Sequence, residues 1–106
     1  MQLTTTFRGL NRSESASATS ALEKNSDRLD RLLERPVPMR AVIEGPPEYN
    51  VTLSMSIEGD DLVAQSSGHD LGVAINTASD RIRNQLLRMR QRRQSNRQRA
   101  TPPPTT

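Results

Sequence analysis

The stretch NVTLSMSIE, residues 50–58, alternates without a break. Val51, Leu53, Met55 and Ile57 fall on one side, and Thr52, Ser54, Ser56 and Glu58 on the other. An amphipathic helix cannot carry this period; a strand with one buried and one solvated face can. GDD then supplies a tight turn, and LVAQSS returns with Leu62 and Ala64 on the inward side. The chain is therefore expected to contain an antiparallel hairpin with one apolar face, which the rest of the fold must cover.

The remaining segments supply the cover. MQLTTTF reads as a strand with Leu3, Thr5 and Phe7 on one face, followed by a turn in RGLNRS. Ser13 is positioned to cap a helix from Glu14 to Arg35, without a Glu or Gln three residues later to close a capping box. In that helix Ala18, Leu22, Leu29 and Leu33 recur at spacings of four or seven, with Leu32 at the margin, and Pro36 and Pro38 end it. MRAVIE is a further strand, and the two prolines of GPPEY mark a turn. Asp70 caps a last helix whose apolar stripe is Leu71, Ile75, Ala78, Ile82, Leu86 and Met89.

The order β-α-β-β-β-α predicts an α+β fold: a two-layer sandwich, with a four-stranded sheet and both helices packed on one face. The opposite sheet face carries Thr4, Thr6, Thr52, Ser54 and Ser56 and no aromatic, so it is no base-stacking platform. With hydrophobic residues at only 32% and no Trp, the core is aliphatic and thin, and modest stability is expected. Residues 1–93 are expected to form one domain, and residues 94–106 a disordered Arg/Pro/Thr tail.

Reactive groups are scarce. There is no Cys, which excludes disulfides, thiolate nucleophiles and Cys-ligated metals. The single histidine, His69, reads as a turn residue beside a helix cap, and Asp60 and Asp61 as ordinary turn acids. The glycines are scattered at element ends rather than gathered in a phosphate loop. No enzyme, metal, cofactor or small-molecule substrate is expected. The N-terminus lacks the basic and apolar regions of a signal peptide, and no window is apolar enough to span a membrane, so a cytoplasmic location is expected.

Charge is the positive signal. Residues 1–80 hold seven basic against twelve acidic side chains; residues 81–106 hold eight arginines and no acid. A basic end on an acidic body points to a polyanion. On the last helix Arg81, Arg88 and Arg92 flank one side of the apolar stripe, and Arg83 and Arg90 the other. On the first helix Lys24, Arg28, Arg31 and Arg35 form a line beside an acidic line of Glu23, Asp27, Asp30 and Glu34. A solvated face with local ion pairs is the plain reading of the first helix, and a soluble tail that of the basic end. Repeated like charge at helical spacing and the arginine fork both favour phosphate contact.

FRGLNRSES, EKNSDRLDRL and GHDLGVAINTASDRIRNQLLRMRQRR together resemble the ribosome hibernation promoting factor family, which includes the ribosome-associated translation inhibitors and was once described as sigma-54 modulation proteins. The likeness spans roughly residues 1–93, with departures from the commonest pattern at Gly72 and Asn76. It implies the same β-α-β-β-β-α fold and a noncatalytic protein that occupies the messenger and transfer RNA channel of the small ribosomal subunit when growth slows. The implied partners are the small subunit and its ribosomal RNA. The implied contacts, carried over by position, are Lys24, Arg28, Arg31, Arg81, Arg83, Arg88, Arg90, Arg92 and Arg93. Longer members append a domain that pairs ribosomes, and a 106-residue chain is expected to lack it. The competing expectation is a small scaffold or protein-interaction domain that docks through its basic helix.

Overall fold

Strand β1 (Leu3–Arg8), helix α1 (Arg12–Asp30), strands β2 (Met39–Glu44), β3 (Tyr49–Ile57) and β4 (Asp60–Gly68), and helix α2 (Leu71–Ala100) follow one another along the chain. The computed structural model describes the backbone of residues 2–100 and the side chains of residues 2–92. Of the tail expected over residues 94–106, the backbone to Ala100 belongs to α2, and residues 101–106, with the side chains from Arg93 onward, lie outside the described residues.

The strands form one mixed sheet in the order β1-β2-β3-β4. Helix α1 is the crossover that allows β1 and β2 to run parallel, and tight connections make the other two pairs antiparallel. In register, Ala41, Leu53 and Ala64 sit side by side across β2, β3 and β4, with Met39, Met55 and Leu62 in the next inward row. All six are buried, as are Val51 and Ile57. Ala18, Leu22 and Leu29 of α1 and Ala74, Ile75, Ala78, Ile82, Leu86 and Met89 of α2 close the same core, so both helices lie on one face of the sheet. Helix α2 lies over β3 and β4, and α1 lies toward β1 and against α2. The alternating segment of residues 51–57 is thus an inner strand of the sheet and lines the core.

Three boundaries differ from the sequence expectation. Asn11, not Ser13, caps α1: its side chain accepts the Glu14 N–H at 2.7 Å, and the Glu14 carboxylate accepts the Asn11 N–H at 3.1 Å. This is a full capping box, set two residues earlier than expected. Helix α1 also ends at Asp30 instead of Arg35. The N–H groups of Leu32 and Leu33 reach back only three residues, to Leu29 and Asp30, a tightened last turn before the prolines. This turn leaves Leu32 and Leu33 half-buried against the core, outside the helix. Finally, the β3–β4 turn consists of Glu58 and Gly59, both at positive φ (49° and 88°), and Asp60 already pairs with Ile57. Two positive-φ residues suit the right-handed twist of a two-residue hairpin, and glycine takes the second without strain.

Strand β4 is an outer strand of the sheet, and there the Gln65 carbonyl accepts from Arg81 Nη1 and the Val63 carbonyl accepts from Gln85 Nε2 at 2.6 Å. Two side chains one helical turn apart on α2 therefore satisfy acceptors along an edge that could otherwise pair with another chain.

Candidate nucleic-acid interface

The core stripe of α2 fixes where its arginines point. Asn76, Arg83 and Arg90 are spaced by sevens and share one flank of the helix. The first and last of them touch the α1 side. Asn25 Nδ2 of α1 donates to Asn76 Oδ1 at 3.1 Å, and Arg90 Nη1 donates to the Leu32 carbonyl just past α1 at 2.9 Å. The Arg90 bond satisfies a carbonyl that the end of α1 leaves without a helical partner. Arg83 lies midway between them on that flank.

Helix α1 meets this flank with its own cations. A groove between the helices is lined by Ala16, Ser17, Ser20, Ala21, Lys24, Asn25, Arg28 and Asn76. Lys24 and Arg28 are exposed at its wall, and Arg31 follows as the exposed C-cap of α1. At helical spacing Asp27 sits one turn from both Lys24 and Arg31, so the acids of α1 remain beside its cations. Lys24 and Arg28 are the charged residues among those lining the groove. On α2, Asp80 lies one turn from both Asn76 and Arg83, on the same flank. Arg35 lies beyond α1 and does not continue the line.

The other flank of α2 faces the β4 edge. Arg81 is committed there to the Gln65 carbonyl. One bond leaves a guanidinium further N–H donors, so the contact orients Arg81 without exhausting it. Arg88 and Arg92 are exposed farther along α2. Of the sequence-derived residues, Lys24 and Arg28 line the interhelix groove, Arg31 caps α1, Arg83 and Arg90 lie on the flank of α2 turned toward α1, and Arg81, Arg88 and Arg92 lie on the sheet-edge flank.

Two tertiary contacts were not anticipated. Asn25 is buried at the helix interface, and its Nδ2 also donates to the Ala21 carbonyl at 2.8 Å. Tyr49, at the start of β3, donates its hydroxyl to the Glu14 carboxylate. The phenol, then the Asn11 N–H, holds the Glu14 carboxyl below the usual glutamate range, and the same contact pushes the Tyr49 phenol up. The spacing N-x-x-E was visible in the sequence, whereas the two tertiary side-chain pairs leave no periodic signal.

The polar sheet face carries Arg40, Ser54 and Val63 in one row and Glu44 and Asn50 in another, with an Arg8–Glu44 ion pair at 3.0 Å. Among the described residues no group of three His, Cys, Asp or Glu side chains could hold a metal ion. No helix among them is long and apolar enough to cross a membrane.

The sequence matches the family model described as sigma 54 modulation protein / S30EA ribosomal protein over residues 4–94. Comparison with curated proteins gave no match. Among solved structures, the N-terminal domain of Protein Y from Thermus thermophilus superposes with a TM-score of 0.72 at 21% identity, covering 84% of this chain and 99% of that one. A ribosomal subunit interface protein from Coxiella burnetii superposes at 0.69 and 16% identity, covering 85% and 98%. At these identities the superpositions establish a shared fold.

Proposed function

The chain belongs to the sigma 54 modulation protein / S30EA ribosomal protein family, and from that premise we propose that it is a noncatalytic, cytoplasmic ribosome-binding protein. In this reading it occupies the messenger and transfer RNA channel of the small subunit and inhibits translation during slow growth. The observation that carries it is the pair of cations at the groove between the helices. Lys24 and Arg28 line that groove on α1, and Arg83 and Arg90 share the flank of α2 turned toward α1. Ribosomal RNA offers closely spaced phosphates to such a surface, and each one neutralised releases condensed counterions. The folded domain supplies steric bulk, so inhibition needs no chemistry.

The test is sedimentation with purified ribosomes through a gradient, at low and at high salt. Co-sedimentation with the small subunit or the whole ribosome, diminished by salt, is the expected result. Recovery only at the top of the gradient at low salt refutes ribosome binding. Toeprinting on the same particles locates the block: loss of messenger RNA entry is expected, and undisturbed initiation refutes channel occupancy.

A further inference from the structure

Asn25 and Asn76 form a polar contact with a fixed polarity. Asn25 is only 7% exposed, and its Nδ2 donates both to the Ala21 carbonyl, within α1, and to Asn76 Oδ1, across the helix interface. Both hydrogens of the Asn25 amide are therefore spoken for. The contact requires an acceptor from Asn76, so the Asn76 oxygen is turned toward α1. Its Nδ2, on the opposite branch of the same planar amide, is left for the groove that Asn76 lines with Lys24 and Arg28. Asn76 itself is exposed.

We propose that Asn76 is a neutral phosphate-binding residue of the interhelix groove, and that Asn25 is the positioning residue that presents the Asn76 N–H₂ to a nucleic-acid phosphate held by Lys24 and Arg28. The inference rests on the proposed RNA-binding role of the groove and adds to it a residue that no charge pattern selects. The groove wall is rich in groups able to donate to an anion. Lys24 and Arg28 provide ionic donors, Ser17 and Ser20 provide hydroxyls, and a phosphate oxygen accepts from any of them. An amide free to rotate samples both orientations before the anion arrives and must be ordered on binding. The buried Asn25 removes that choice before the ligand arrives, which lowers the ordering cost of binding.

A neutral donor and a cation leave different signatures. Removing a cation lowers affinity and flattens the salt dependence, because fewer counterions are released. Removing a neutral donor lowers affinity and leaves the slope alone. The experiment measures binding of the full chain to purified small ribosomal subunits across a salt series. The variants are Asn76→Ala, Asn25→Leu, both together, and Lys24→Gln with Arg28→Gln, each checked for a parent-like melt. Asn76→Ala is expected to weaken binding roughly tenfold at an unchanged slope, the size of one hydrogen bond to a charged group. Asn25→Leu should weaken it less, and should add nothing in the Asn76→Ala background, since it acts only through Asn76.

Two results overturn the inference while sparing the groove: Asn76→Ala binding within twofold of the parent while the Lys24/Arg28 variant is weakened, or Asn25→Leu losses that add in full to those of Asn76→Ala. If the Lys24/Arg28 variant also binds like the parent at an equal slope, the groove is not the RNA surface, and the inference falls with it.

Discussion

Tyr49 donates its hydroxyl to Oε2 of Glu14, while Oε1 of the same carboxylate accepts the Asn11 N–H at 3.1 Å. One side chain therefore closes the capping box of α1 and ties that helix to the start of β3. Glu14 and Tyr49 are 35 apart in sequence, so the contact joins the crossover helix to the start of the hairpin that α2 covers.

This contact has a pH signature with two arms. The phenol and the Asn11 N–H depress the folded-state pKa of Glu14 below its ordinary 4.5, so its contribution is present above that value and is lost as pH falls through the folded one. Glu14 raises the Tyr49 pKa above its ordinary 10.0, so the phenol contributes below that value and its contribution is lost as pH rises through the folded one. Tyr49→Phe is expected to destabilise the domain near neutral pH. The difference from the parent should shrink toward both extremes. Thermal melts from pH 3 to 11 check this, and a parent-to-variant difference that stays flat across the acid range rules the contact out as its source.

What was legible in the sequence depended on periodicity. The β3 alternation, the inward Leu62 and Ala64, and the α2 stripe from Ile75 to Met89 all stand in the structure as read. Each is set by a repeated pattern that many residues share. The ends of α1 were less legible, because one capping residue decides each. Asn11 outcompeted Ser13 since only Asn11 has Glu14 three residues on, and the last turn tightened at Leu32 ahead of the two prolines. At the candidate site the arginines were visible as a composition, but their assignment to two flanks required the neighbours Gln65, Leu32 and Asn25. A contact between single side chains far apart in sequence has no period to betray it.

Leu53 lies at the centre of the inward rows, fully buried between Ala41 of β2 and Ala64 of β4. Leu53→Asp is expected to unfold the domain. Burying an unpaired carboxylate costs several kcal/mol, on the order of the whole net stability of a small domain. Loss of the cooperative thermal transition is the readout, and a melt like the parent's would contradict the facing of β3.

Ser79 offers a change in the other direction. It is buried on α2, and its hydroxyl has no hydrogen-bond partner among the described residues. Ser79→Ala removes a desolvated donor and acceptor and replaces serine with a better helix former. A gain of about 1 kcal/mol is expected. Chemical denaturation with an unchanged m-value and a higher midpoint would report it. A lower midpoint would show that the hydroxyl stabilises the native state.

The three arginines of the sheet-edge flank are expected to separate by role. Arg81 is joined to the β4 carbonyl of Gln65, one turn before Gln85 makes the equivalent bond to Val63. Arg88 and Arg92 are exposed farther along the same flank. Arg81→Gln should therefore lower stability by about 1 kcal/mol, the net worth of one hydrogen bond at a partly solvated edge, and should leave β4 more open to pairing with another chain. Arg88→Gln with Arg92→Gln should melt like the parent, because neither side chain joins the stripe of Ile75, Ile82 and Leu86. If that flank also meets phosphates, the double variant should flatten the salt dependence of ribosome binding by up to roughly 0.7 to 0.9 for each phosphate no longer neutralised. Melts and salt-dependent binding of the two variants decide between the roles. A stable Arg81→Gln beside an unstable double variant reverses the assignment, and equal salt slopes for parent and double variant confine phosphate binding to the groove between the helices.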